Sequence, residues 1–238
     1  MLTQIELGGI VLDVIKKDIK NIHLSVYPPT GRVRLAAPAR MNLDTIRLFA
    51  ISKLGWIRQQ QKTLRGQERD TEREYLDRES HYVWGRRYLL RLVEEDAAPS
   101  VELRHSKLVL CVRPGSDELT REAVVAEWYR RMLKAATRPL IEAWELRLHV
   151  EVSGFFVQQM KTKWGSCNPA TGTIRLNTEL AKKPEECLEY IVLHEVVHLL
   201  EPTHGPRFLV LMDRFMPAWR DTRALLNRLP ARHEQWNY

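Results

Sequence analysis

His194-Glu-Val-Val-His198 is the segment whose residue types and spacing are best suited to chemistry. On an α-helix four residues advance about 400°, so the two imidazoles project about 40° apart, one turn of about 6 Å along the axis. Both can reach one cation at the roughly 2.0–2.1 Å typical of zinc–nitrogen bonds. Glu195 stands beside the pair but off the ligand line, where its carboxylate can take a proton from water on that cation. A catalytic zinc takes a third protein ligand and leaves its fourth position to water. Glu201-Pro202 should end the helix, because a residue before proline is disfavoured in the α region. The turn Pro202-Thr-His204-Gly-Pro206 then reverses the chain, and His204 can fold back to the metal. Two histidines and a glutamate on an otherwise apolar helix are costly to bury without a metal. The candidate ligands are therefore His194, His198 and His204, with Glu195 as general base. Zinc is the expected ion, and nickel or another divalent metal can occupy such a site during purification.

The elements that must position these residues are legible from period and punctuation. Pro184 opens the metal helix, Glu185 and Glu186 suit its first turn, and the apolar pattern predicts a buried helix running to Leu200. Before it lie two strand candidates, Phe155–Lys161 and Thr173–Asn177, flanking the turn Asn168-Pro-Ala-Thr-Gly172. A long amphipathic helix is predicted from Thr120, with Val125, Trp128, Met132, Leu140 and Trp144 on one broad face. The first 40 residues read as short strands, Ile10–Val14, Ile22–Val26 and Arg32–Leu35, followed by a helical pattern from Asn42. Strand-like runs return at Tyr82–Trp84, Tyr88–Val93, Val101–Leu103 and Leu108–Val112. The break at Pro114-Gly-Ser-Asp117 suggests a boundary, giving domains 1–118 and 119–238. No internal repeat is visible.

Several of these pieces together resemble the YgjP-type metallopeptidase-like family, related to the WLM and SprT-like zincins. The matching segments are Lys161-Thr-Lys-Trp-Gly-Ser-Cys167, Gly172-Thr-Ile-Arg-Leu-Asn177, Pro184, Tyr190-Ile-Val-Leu-His-Glu-Val-Val-His-Leu199 and His204-Gly-Pro-Arg-Phe208. In the N-terminal part Ala37-Pro38, Lys53-Leu-Gly-Trp-Ile57 and Trp84-Gly85 also match, so the resemblance covers nearly the whole chain. It implies an α+β architecture: a strand-rich N-terminal domain followed by a zincin-like C-terminal domain with a metal-binding helix. It also implies the same ligands and the same base. Val196-Val197 stands where a Leu-x pair is commoner, and Lys163 where Arg is frequent; both changes are conservative. The histidine spacing equals that of the metzincins, but Glu201 occupies their glycine position, which sets that assignment aside.

Three functions are open to this constellation. Peptide hydrolysis would use the metal, Glu195 and a strand edge that binds an extended peptide. Hydrolysis of a phosphoanhydride, such as a nucleoside triphosphate, would add Lys161, Lys163 and Arg175 as substrate-binding cations. In that reading Lys161 and Lys163 share one face of a strand, with Arg175 on its partner. A non-enzymatic nucleic-acid or protein binding module with a structural metal is the third, and three histidines rather than a closed set of four ligands speak against it. Cys167 reads as a small buried residue rather than a nucleophile.

The 238-residue chain has a net charge of +7, which allows contact with nucleic acid. No stretch approaches the roughly 18 apolar residues of a membrane helix, so no membrane partner is expected. Three widely spaced cysteines and an N-terminus without a basic signal-like region point to the cytoplasm. Nothing in the sequence sets an oligomeric state.

Overall fold

The computed structural model describes residues 2–27, 30–66, 74–160 and 163–229. They form a mixed α+β architecture in two compact units, the first within Met1–Glu72 and the second spanning Arg73–Leu229.

In the first unit, β1 (Leu2–Leu7), β2 (Ile10–Lys17), β3 (His23–Tyr27) and β4 (Arg32–Pro38) form a sheet of order β1-β2-β4-β3. The outer pairs are antiparallel and β2 runs parallel to β4. Period-two alternation sends Leu12, Val14, Val33 and Leu35 to one face. That face is covered by α1 (Leu43–Ser52) and α2 (Leu54–Gly66) through Ile46, Ala50 and Ile57. Asn42 caps α1, its side chain accepting the Thr45 N–H at 2.8 Å. The pattern expected as one helix from Asn42 is thus two, broken at Lys53.

The second unit begins with β5 (Ser80–Val83), β6 (Arg86–Glu94), β7 (Ser100–Arg104) and β8 (Lys107–Val112), in the order β5-β6-β8-β7. Order and strand sense repeat those of the first sheet: antiparallel, parallel, antiparallel. The opening hairpins share a turn chemistry as well. Gly8 and Gly9 have φ of 57° and 78°, and Trp84 and Gly85 have 48° and 76°, the left-handed pair of a type I′ turn. The chain therefore contains a repeat of topology that its side chains do not advertise.

Next comes α3 (Glu118–Leu148), which starts before the expected Thr120 because the Asp117 carboxylate caps it by accepting the Thr120 N–H at 2.8 Å. Its inner face carries Val125, Tyr129, Leu133, Ile141 and Trp144. A three-stranded sheet follows, of order β10-β11-β9, from β9 (Gly154–Gln158), β10 (Gly165–Asn168) and β11 (Thr173–Asn177). Last are α4 (Glu185–Val197), α5 (Pro206–Phe215) and α6 (Trp219–Arg228).

The expected division after residue 118 falls inside the second unit. Val83, Leu90, Leu108, Leu110 and Val112 share one core with α3 and α4. The β5–β6 turn is also clasped by the segment leading into α4: the Trp84 N–H donates to the Ala181 carbonyl at 3.0 Å and the Gly85 N–H to that of Lys182 at 3.2 Å. A Cβ on Gly85 would meet the Pro184 ring at 2.9 Å. The proline–glycine break before α3 marks a loop, not an edge of the core. A fragment of residues 73–229 should consequently fold cooperatively and bind metal, whereas one of 119–229, stripped of β5–β8, should not. Thermal melts of both with zinc added check this, and a folded 119–229 fragment would show that the two halves do not share a core.

Candidate metal centre

Apolar residues cover almost the whole circumference of α4: Cys187, Leu188, Tyr190, Ile191, Val192, Leu193, Val196 and Val197 are all buried. Its last turn brings His194, Glu195 and His198 into this dry environment. The helix closes at Val197, short of the expected Leu200, and the Glu201 N–H finishes it by donating to the Val197 carbonyl at 2.9 Å. This early close is useful to the site. It lets the Glu201 carbonyl turn back and accept from Nδ1 of His198 at 3.0 Å, which orients the ring and leaves Nε2 for the centre. His204, on the loop before α5, places its Nε2 at 2.9 Å from Nε2 of His194. All three rings pack on Phe208, with centroid separations of 4.9, 4.8 and 4.7 Å for His194, His198 and His204.

One donor atom from each histidine lies within 4.8 Å of the others. A tetrahedral ion with bonds of about 2.0–2.1 Å needs nitrogens about 3.4 Å apart. The 2.9 Å pair and the 4.8 Å limit bracket that spacing. Burial, with the neighbouring His198 and His204 and with Arg223, pushes the pKa of His194 down to about 3. Burial and His198 also lower that of His204. Nε2 of His194 and Nε2 of His204 face each other at 2.9 Å, where one neutral ring can donate its N–H to the other or both can turn a lone pair to a shared cation. The donor set therefore fits a divalent ion. Nδ1 of His194 is buried and finds no partner among the described residues, so packing and the Nε2 side of the ring set its orientation.

A cavity of about 410 Å³ opens onto the three histidines, walled by Gly165, Ser166 and Cys167 of β10 and rimmed by Lys163 and Trp164. Glu195 is 5% exposed, and burial raises its pKa to about 7 against the opposing pull of Lys163. The approach of β10 to α4 is close enough that a Cβ on Gly165 would meet Glu195 Oε1 at 2.6 Å and Ile191 Cγ2 at 2.9 Å. Cys167 is half-buried, its thiol pushed up to about 11 by burial and by Glu195, in keeping with an inert residue.

Of the three substrate-binding cations expected from the sequence, two are described, and they do not meet at the cleft. Lys163 lines the cleft. Lys161 lies outside the described residues. Arg175 is exposed on β11 between Ile174 and Leu176, which are fully buried, and it is not among the residues lining the cavity. The strand expected to run to Lys161 ends at Gln158. Asn177 had no role in the sequence reading. Its side-chain amide donates to the carbonyls of Met160 at 2.8 Å and Lys163 at 2.9 Å, while its backbone N–H donates to that of Trp164 at 2.9 Å. These bonds tie Met160, Lys163 and Trp164 to the end of β11, and Lys163 and Trp164 stand on the rim. An Asn closing a strand, with its side chain also accepting the Glu179 N–H at 3.2 Å, carries the local mark of a cap, and no sequence rule reports its more distant partners.

Gly165→Ala should displace the Glu195 carboxylate. Activity should fall while metal content, measured by elemental analysis, holds near one ion per chain; an unaffected rate would mean the approach is less tight than described. The metal-free protein should also show a distinctive pH dependence. Unfolded Glu195 releases its proton near the usual 4.5 and the folded state only near 7, so the stability it contributes is present below 4.5 and is lost as pH rises through 7. Unfolded His194 takes a proton near 6.5 and the folded state only near 3, so its contribution is lost as pH falls through that window. Glu195→Gln should accordingly raise the melting temperature of metal-free protein at pH 8, relative to wild type, and the difference should shrink towards pH 4. An advantage independent of pH would assign the gain to something other than the buried charge.

No curated protein matches the chain. Among solved structures, the metallopeptidase zymogen jannalysin of Methanocaldococcus jannaschii is 24% identical, with a TM-score of 0.35, over 38% of this chain and 92% of that one. The zymogen abylysin of Pyrococcus abyssi is 22% identical, with a TM-score of 0.36, over 40% of this chain and 99% of that one. The family model described as YgjP-like, metallopeptidase domain, matches residues 20–229. By that match across both units, the chain belongs to the YgjP-like metallopeptidase family.

Proposed function

We propose that the chain is a metal-dependent peptidase in which His194, His198 and His204 hold a divalent ion, zinc by expectation, and Glu195 is the general base for attack of water on a peptide bond. One observation carries this reading: three imidazole donors within 4.8 Å of one another share a cleft with a buried carboxylate. When bound, such an ion polarises a carbonyl and lowers the pKa of water to about 7. The protein's own part begins with β10, which has β11 as its one neighbour in the sheet. Standing at the edge of the described sheet, β10 can take an extended peptide as a further strand. Glu195, held near neutrality by burial, can accept a proton from the attacking water and deliver it to the leaving amine. His198 keeps its orientation through the Glu201 carbonyl, and Phe208 holds all three rings from below.

The position of the cations favours a peptide over a triphosphate. A phosphoanhydride asks for several positive groups at the metal, and of the two described cations Lys163 lines the cleft while Arg175 does not. A structural metal in a binding module is the poorer fit, because the ligand set stops at three and the cavity beside it is open.

Protein purified without chelators should carry about one divalent metal per chain by elemental analysis, and His198→Ala should lose it. Glu195→Gln should keep the metal and lose peptide hydrolysis by at least about 10²-fold. A metal-free but folded wild type would sink the ligand assignment, and loss of metal from Glu195→Gln would make Glu195 a ligand instead of a base.

A further inference from the structure

The charge of the chain is segregated. Residues 1–66 hold eleven Lys and Arg against four acids, Glu6, Asp13, Asp18 and Asp44; of 37 basic and 30 acidic residues, that leaves 26 of each for the rest. The first unit as a whole, Met1–Glu72, adds Arg69 against Glu68, Asp70 and Glu72, so it carries +5 of the net +7. One of its acids is already engaged, since Asp13 is 2% exposed and paired with Arg32. The sequence of α2 has Arg58, Lys62 and Arg65 and no acid. Along the helical layer Arg47, Lys53, Arg58 and Lys62 are exposed. At one end of the sheet lie exposed Lys16, Lys17 and Arg40, brought together where the Lys17 carbonyl accepts the Ala39 N–H at 2.9 Å. Among the helical cations stand uncovered apolar side chains, Leu48 at 68%, Ile51 at 48% and Trp56 at 45% exposure.

We propose that the helical layer of the first unit binds single-stranded nucleic acid, its cations following the phosphates while Trp56 offers a face on which a base can stack. Cations with an interleaved aromatic are the combination that holds single strands with little regard for sequence. The excess charge supplies the long-range attraction, because each neutralised phosphate releases condensed counterions. An anionic bilayer is the other surface that attracts cations beside apolar groups. Burying Leu48 and Ile51 in it would carry down Asp44 and Arg47, which lie one turn from them along α1. A nucleic-acid strand requires no insertion. The proposal does not depend on the metal centre, whose ligands all belong to the second unit.

Full-length protein titrated with a labelled single-stranded oligonucleotide of about 20 nucleotides, longer than a usual site of about 4–16, tests this by fluorescence anisotropy. RNA and DNA forms are both used. Affinity should fall with salt at a log–log slope of about −0.7 per phosphate neutralised. The triple variant Arg47→Glu, Lys53→Glu, Lys62→Glu should lose at least about tenfold in affinity and show a shallower slope. Trp56→Ala should weaken binding without changing the slope, and His198→Ala should bind as wild type does. A matched triple in the second unit, Lys107→Glu, Arg131→Glu, Lys134→Glu, should have little effect. Absence of binding at low salt overturns the proposal. So does equal loss in both triples, or binding to phosphatidylglycerol vesicles with none to either oligonucleotide.

Discussion

The candidate centre depends on an approach of backbone to helix that only glycine permits. At Gly165 the edge strand β10 lies so near α4 that a single added carbon would overlap the Glu195 carboxylate. That proximity strips water from the carboxylate, raises its proton affinity and makes β10 the wall of the cleft. The remaining packing serves to hold two surfaces that close. Ile174 and Leu176 of β11 are fully buried in the core that also contains α4, and α3 packs against α4 as well. A charged residue inside an apolar helix is tolerated because everything around it is arranged to exploit the cost of burying it.

Much of this site was legible because helical periodicity and ligand chemistry are local properties. The four-residue spacing of His194 and His198, the break at Glu201-Pro202 and the following His204 each follow from rules spanning a few residues. What could not be read was set by partners distant in the chain. β10 was missed since Gly-Ser-Cys-Asn lacks the branched and aromatic residues that mark a strand, and its pairing comes from β11. Asn177 looks like any turn residue until its amide is found bonded to Met160 and Lys163. The end of β9 at Gln158, short of the expected Lys161, and the exposure of Arg175 away from the cleft were likewise beyond local rules.

The division of the chain misled in a different way. A Pro-Gly-Ser-Asp break followed by a long amphipathic helix has the local signature of a linker and a new domain. Whether β8 and α3 share a core is decided by the complementarity of Leu108, Leu110 and Val112 with Val125, Tyr129 and Leu133, which no window of sequence contains. The first unit has its own smaller core and keeps the outward side of its helices uncovered.

Two sheets of the same strand order within one chain also set a problem during folding. Each nascent hairpin presents the same ladder of donors and acceptors, so β2 has in β6 a decoy of nearly its own length, eight residues against nine. Chains with repeated topology are prone to such misassembly. Local closure counters it. The two-residue left-handed turns at Gly8-Gly9 and Trp84-Gly85 allow each hairpin to zip within its own sequence, before a distant strand can compete. The unequal partners, six residues in β1 against four in β5, make an exchanged pairing leave backbone groups unmatched. Turn chemistry that looks like a detail of two surface loops thus favours pairing of each hairpin within its own sequence.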